Sequence, residues 1–93
     1  MIKLIQINKS SPNNYRLQNI YINPKHIIFM SENFRFKQEL IEGKINIDID
    51  KTARFTKIKI NENAGISEII VVGAPDMIEE KIYNNSKKSL LKG

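Results

Sequence analysis

Arg54, Phe55, Lys57 and Lys59 form the pattern in this chain that comes nearest to a chemistry. Side chains alternate along a strand, so Phe55, Lys57 and Lys59 share one face of any sheet they enter. An aromatic ring beside cations on a sheet can stack a base while the cations meet phosphates, which is how single-stranded nucleic acid is often held. Lys25, Arg35 and Lys37 could extend such a surface. The competing reading leaves Phe55 buried under the neighbouring segment and the lysines simply solvated.

Other constellations carry less. The single histidine, His26, has only Ser31 and Glu32 near it in sequence, and no motif frames a catalytic pair. Asp48 and Asp50, with Glu42 or Asn46, lack the glycine and terminal glutamate of a calcium loop. Gly73-Ala74-Pro75 opens a helix, but Asp76, Glu79 and Glu80 would repel a phosphate there, and no glycine-rich phosphate motif is present. The expectation is a protein that is not an enzyme, with no catalytic residue, no metal and no cofactor.

The composition bounds the rest. Ninety-three residues suit one domain with a small core. The net charge is +5, and Ile, Lys and Asn are heavily used, a bias expected of an A/T-rich genome such as that of a low-GC bacterium or a phage. With no cysteine, disulfides and thiolate metal sites are excluded. The start, MIKLIQINKS, has no uninterrupted apolar stretch of signal-peptide type, and the longest apolar run, IIVV at 69–72, is strand-sized. These features predict a cytoplasmic protein with no membrane contact.

The elements that must position these residues follow from periodicity. Strands are predicted at Ile2–Ile7, Tyr15–Ile22, His26–Ser31, Phe55–Ile60 and Ile66–Val72. The cluster NKSSPNN at 8–14 joins the first two as a hairpin, and NENAG joins the last two. A change of apolar phase within Tyr15–Ile22 suggests a bulge near Gln18–Asn19. Along His26–Ser31, Ile28 and Met30 point one way, Ile27 and Phe29 the other. In the fourth strand, Thr56, Ile58 and Ile60 face inward. Phe34–Glu42 reads as a short helix ended by Gly43, and KINIDIDK as a strand or an extended excursion. Pro75 starts a final helix whose stripe contains Ile78 and Ile82 and which fades at Asn84–Asn85. Residues 1–85 thus form one domain, and 86–93 a basic, frayed tail.

The runs IKLIQIN, YINPKHI, FTKIKIN and IIVVGAPDMIEEKI resemble the small FlbD-like (swarming-motility) proteins, whose short relatives are also carried by phages. The likeness spans most of 2–83 except about 32–54 and rests on core and corner positions. It implies a β-rich fold with a final helix, and a link to flagellar function with no catalytic residues to carry over. The chain departs from the pattern by the segment at 32–54, the NENAG turn and the basic tail.

Together these readings predict an α+β domain: a five-stranded, mainly antiparallel curved sheet or small open barrel, a C-terminal helix, and an inserted loop or short helix at about 32–54. The predicted function is that of a non-catalytic adaptor or regulator, with a phage accessory protein acting on a host or phage protein as one form of it. The inserted segment offers Phe34, Arg35, Phe36, Lys37, Leu40, Ile47 and Ile49 as candidate protein-partner contacts, on the premise that its deletion leaves the fold intact. Serving as a cover for the core is its alternative role. The alternative function is nucleic-acid binding through Lys25, Arg54, Phe55, Lys57 and Lys59. Apolar residues on both faces of a small sheet also predict a homo-oligomer.

Overall fold

A computed structural model describes the backbone of residues 1–92 and the side chains of 1–87. Five strands and two α-helices follow one another as β1 (Ile2–Ser11), β2 (Asn14–Ile22), β3 (Ile27–Glu32), α1 (Phe34–Ile41), β4 (Phe55–Glu62), β5 (Gly65–Val72) and α2 (Pro75–Lys92). A 3-10 turn, Pro24–His26, links β2 to β3. The strands form one open, curved, antiparallel sheet in the order β2-β1-β5-β4-β3. The fold is therefore α+β with an open sheet, as the alternation of the sequence predicts.

Tight connections hold the two hairpins. Pro12 and Asn13 close the first, with Asn13 at φ 65°. Asparagine tolerates that left-handed region better than most residues. Asn63 and Ala64 close the second, with Glu62 opposite Gly65. Both hairpins run further than the sequence suggests, because residues of low strand propensity are carried along by pairing with their neighbours.

The sheet is covered on both faces, so it has two cores. On the back face, Ile2, Leu4, Ile58, Ile60 and Val71 pack against Ile78 of α2, with Ile82 alongside. On the front face, Ile7 and Phe55 pack under Phe36 and Leu40 of α1 and Ile45 of the following segment. β4 feeds both: Phe55 goes to the front and Ile58 and Ile60 to the back. Thr56 also faces the back, fully buried, and its hydroxyl donates to the Gly73 carbonyl at 2.7 Å.

Two-sided cover explains the phase change in β2. Tyr15 packs on the front cluster, and Ile20 and Ile22 on the back cluster. The pairing of β2 with β1 is unbroken from Ile22 to Tyr15, so no bulge lies near Gln18–Asn19; the register shifts instead between Lys9 and Ser11. A second irregularity lies in β3 between Ile27 and Phe29. It corrects the predicted facing of that strand. Ile27 and Met30 share the back cluster, while Ile28 and Phe29 are exposed.

The inserted residues 33–54 leave and rejoin the sheet at one place. Glu32 pairs with Thr56, and the Asn33 amide donates to the Phe55 carbonyl at 2.8 Å. Asn33 caps α1 by accepting from the Phe36 amide at 3.0 Å, and Gly43, at φ 72°, takes the chain out of the helix. Beyond it, KINIDIDK forms no strand, only a single bridge between Asn46 and Asn14. Because Phe36, Leu40 and Ile45 are core residues, deleting the insertion would strip the front face, contrary to the expectation that the fold survives.

α2 does not fade at Asn84–Asn85 but continues to Lys92. Asn85 still reaches the residue before β1, donating to the Met1 carbonyl at 3.3 Å. Gly93 lies outside the described residues.

Candidate protein-binding groove

The local sequence of α1 decides which of its side chains face the sheet. Phe36 and Leu40 lie four apart and turn inward, where Phe36 meets Tyr15 and Phe55 edge-on, with ring centroids 5.1 and 4.8 Å away. Phe34 and Arg35 therefore point away from that stripe. Phe34 is 70% exposed, although it is among the largest apolar side chains in the protein.

Between the start of α1 and the middle of β4 and β5 lies an open groove of about 540 Å³. Phe34, Arg35 and Glu39 line its helical side, Lys57, Glu68 and Ile70 its sheet side, and Glu32 its end. Apolar surface and charges of both signs thus meet in one concavity. Arg35 Nε stands 3.6 Å from Glu39 Oε1, a loose surface pair.

Glu32 is fixed by Arg54, whose Nε and Nη2 donate to its two carboxylate oxygens at 2.8 and 2.6 Å. This two-pronged hydrogen bond holds the Glu32 carboxyl below the usual carboxylate range; partial desolvation opposes it, and the Arg54 charge adds to it. The same pair holds the Arg54 guanidinium above its usual range. A carboxyl lowered on folding stabilises the fold above its unfolded value, and that contribution is lost as pH falls through the folded value. Glu42 and Asp50 are lowered as well, through Lys44 and Gln38 for the first and Thr52 for the second. Glu32→Gln is therefore expected to flatten, without abolishing, the acid side of a urea-midpoint profile below about pH 4.5. An unchanged profile would mean that the pair adds nothing to stability.

The predicted contact residues separate into distinct groups. Phe34 and Arg35 are exposed at the groove. Phe36 and Leu40 are buried and cannot meet a partner. Lys37 ties the insertion together, donating to the carbonyls of Lys51 and Ala53 at 2.5 and 2.8 Å. Ile47 and Ile49 are half-buried against the front cluster. The insertion is thus mainly a cover, and of its predicted contact residues only Phe34 and Arg35, where α1 begins, are exposed.

The nucleic-acid set is also corrected. Phe55 is fully buried, so it presents no ring for stacking. Arg54 is committed to Glu32. Lys25 lies in the 3-10 turn before β3, whose first residue pairs with Ile60, at the opposite end of β4 from Arg54. Only Lys57 and Lys59 remain together. The aromatic that does accompany them is Phe29, whose ring centroid lies 5.3 Å from Lys59 Nζ. Sequence reading misses it because the bulge at Ile28 puts Phe29 opposite Lys59.

Neither weaker constellation assembles. His26 ends the 3-10 turn before β3, while Ser31 and Glu32 lie at the far end of that strand, and Glu32 is held by Arg54. Asp50 accepts from the Thr52 amide and hydroxyl at 2.8 Å each and serves as a turn residue.

Comparison with protein-family models, curated proteins and solved structures finds no match. The functional reading therefore rests on the surface itself. No helix among the described residues is long and apolar enough to cross a membrane.

Proposed function

We propose that this chain is a non-catalytic adaptor or regulatory protein that holds a segment of a protein partner in the groove beside α1. One observation carries the reading: an exposed phenylalanine, Phe34, stands on the rim of a concavity that joins an apolar floor at Ile70 to charges of both signs. A mixed surface of this kind suits a polypeptide, which offers apolar anchors and both signs of charge. The three acids of the groove, Glu32, Glu39 and Glu68, disfavour a polyphosphate there. A/T-biased composition and the FlbD-like pattern support a cytoplasmic accessory protein of phage type.

Affinity capture with the full chain from its native cell is expected to recover one dominant protein. With that protein purified, Phe34→Ala combined with Arg35→Glu should weaken binding on the order of thirtyfold, the effect of losing an aromatic anchor. Both side chains are exposed, so the circular dichroism spectrum should not change. Equal binding by the variant would remove the groove as the contact surface.

A second reading is favoured by Lys57, Lys59 and Phe29, a pair of cations and a ring on the open part of the front face. Among the described residues no carboxylate forms a salt bridge with either lysine, although Glu68 is the cross-strand neighbour of Lys59. The same preparations decide it. A single-stranded oligonucleotide that binds at low salt, with affinity falling steeply as salt rises, would favour this reading, and no binding at low salt would dismiss it.

A further inference from the structure

The two edges of the sheet are not equivalent. β3 is six residues long, and its bulge at Ile28 disrupts the row that would meet another strand. β2 is nine residues long, pairs with β1 in unbroken register from Tyr15 to Ile22, and has no proline and only one charge, Arg16. It therefore lacks the devices that keep edge strands from pairing. Its side chains Leu17 and Tyr21 are 38% and 63% exposed on the front face, beyond the reach of the insertion.

Part of that edge is already taken. Asn46 bridges the outer side of Asn14; its carbonyl accepts from the Tyr15 amide at 2.8 Å, and its amide donates to the Asn13 carbonyl at 2.6 Å. The free edge is the remainder, residues 16–22, and its midpoint is Asn19. The outward amide of Tyr15 also sets the phase. In an antiparallel strand the amide and carbonyl of alternate residues point to the same side, so those of Leu17, Asn19 and Tyr21 also point outward.

We propose that the free edge of β2 pairs with β2 of a second copy, antiparallel about a two-fold axis at Asn19, to form a continuous ten-stranded sheet. This proposal does not depend on the groove. Self-complementarity selects the occupant. The axis sets Leu17 opposite Tyr21 of the second copy, and by symmetry does so twice, giving two apolar cross-strand pairs on the front face. Asn19 faces itself, with outward amide and carbonyl in the right phase to exchange bonds with the other copy. Arg16 lies opposite Ile22, so the one cation does not meet its own image despite the net charge of +5. An axis at Gln18 would instead set Leu17 against Asn19 and bring in Tyr15, whose ring is already packed on Phe36.

Analytical ultracentrifugation over a concentration series of the full chain provides the test. The wild type is expected to approach twice its monomer mass of 10.8 kDa. Asn19→Pro removes an outward amide and leaves the β1–β2 bonds in place, so it should give a folded monomer. Leu17→Lys with Tyr21→Lys sets like charges opposite each other and should raise the dissociation constant on the order of tenfold or more. Mixing that chain with one carrying Leu17→Glu and Tyr21→Glu should restore the dimer, which a merely misfolded variant would not do. A wild type that stays monomeric at its highest attainable concentration would overturn the proposal. So would a dimer that survives the charge substitutions, because it would have to use another surface.

Discussion

Phe55→Ala is expected to lower the stability of this protein by about 3–5 kcal/mol, the range for truncating a buried aromatic. Phe55 has no exposed surface, its ring meets Phe36 at a centroid distance of 4.8 Å, and Phe36 in turn meets Tyr15. The front core contains only a few other buried side chains, Ile7, Leu40 and Ile45 among them, so little can move in to fill the space. A domain of this size has a total stability of about 5–15 kcal/mol, so the loss is a large fraction of it. The change should appear as a lower urea midpoint at nearly constant slope. If Phe55 were instead a surface residue of a nucleic-acid face, the midpoint would hardly move. A shift below about 1 kcal/mol would contradict that burial.

Ile78→Ala is expected to cost about 2–5 kcal/mol, by the same mechanism on the opposite face. Among the described residues, Ile78 is the one fully buried side chain that α2 contributes to the back cluster, where it meets strand residues from β1, β4 and β5. Its neighbour in the stripe, Ile82, is only partly buried and cannot replace it. The helix also depends on its corner. Gly73 has φ 116°, a conformation that residues with a side chain rarely adopt, and its carbonyl receives the buried Thr56 hydroxyl. Loss of Ile78 should therefore loosen α2 as well as leave a cavity. Thermal denaturation followed in parallel by far-ultraviolet circular dichroism and by the fluorescence of the three tyrosines would separate these effects. A stability equal to wild type would mean that α2 is held by something other than this stripe.

The strands and both helix starts were legible because each has a local cause. Period-two alternation marks Phe55–Ile60, Gly43 ends α1, and Pro75 opens α2. What was not legible was which face each strand buries. Apolar residues on both sides of β1, β2 and β5 suggest two covers, but nothing in the order of residues says where each cover ends. The phase change in β2 thus looked like a bulge, whereas it marks the change from front core at Tyr15 to back core at Ile20 and Ile22. The real bulge, at Ile28, carries no glycine or other signature, and it turned Phe29 toward Lys59 unannounced. The candidate site was half visible. Phe34 and Arg35 stand at the groove, but Phe36, Leu40 and Phe55 are its buried support, a distinction that residue type cannot make.

Residues 33–54 begin and end on adjoining rungs of the ladder, where the Asn33 amide reaches the Phe55 carbonyl. In topology they are an enlarged loop of a hairpin that β3 and β4 would make without them. Lengthening such a loop costs little closure entropy, since that cost grows only with the logarithm of length. The constraint lies elsewhere, in the greasy floor left bare if the loop is shortened: Ile7, Phe55, Ile70 and Val72. A homologous chain with a plain hairpin at this junction should therefore carry polar residues at those positions. Loop length and floor polarity would then change together, as two halves of one exchangeable module.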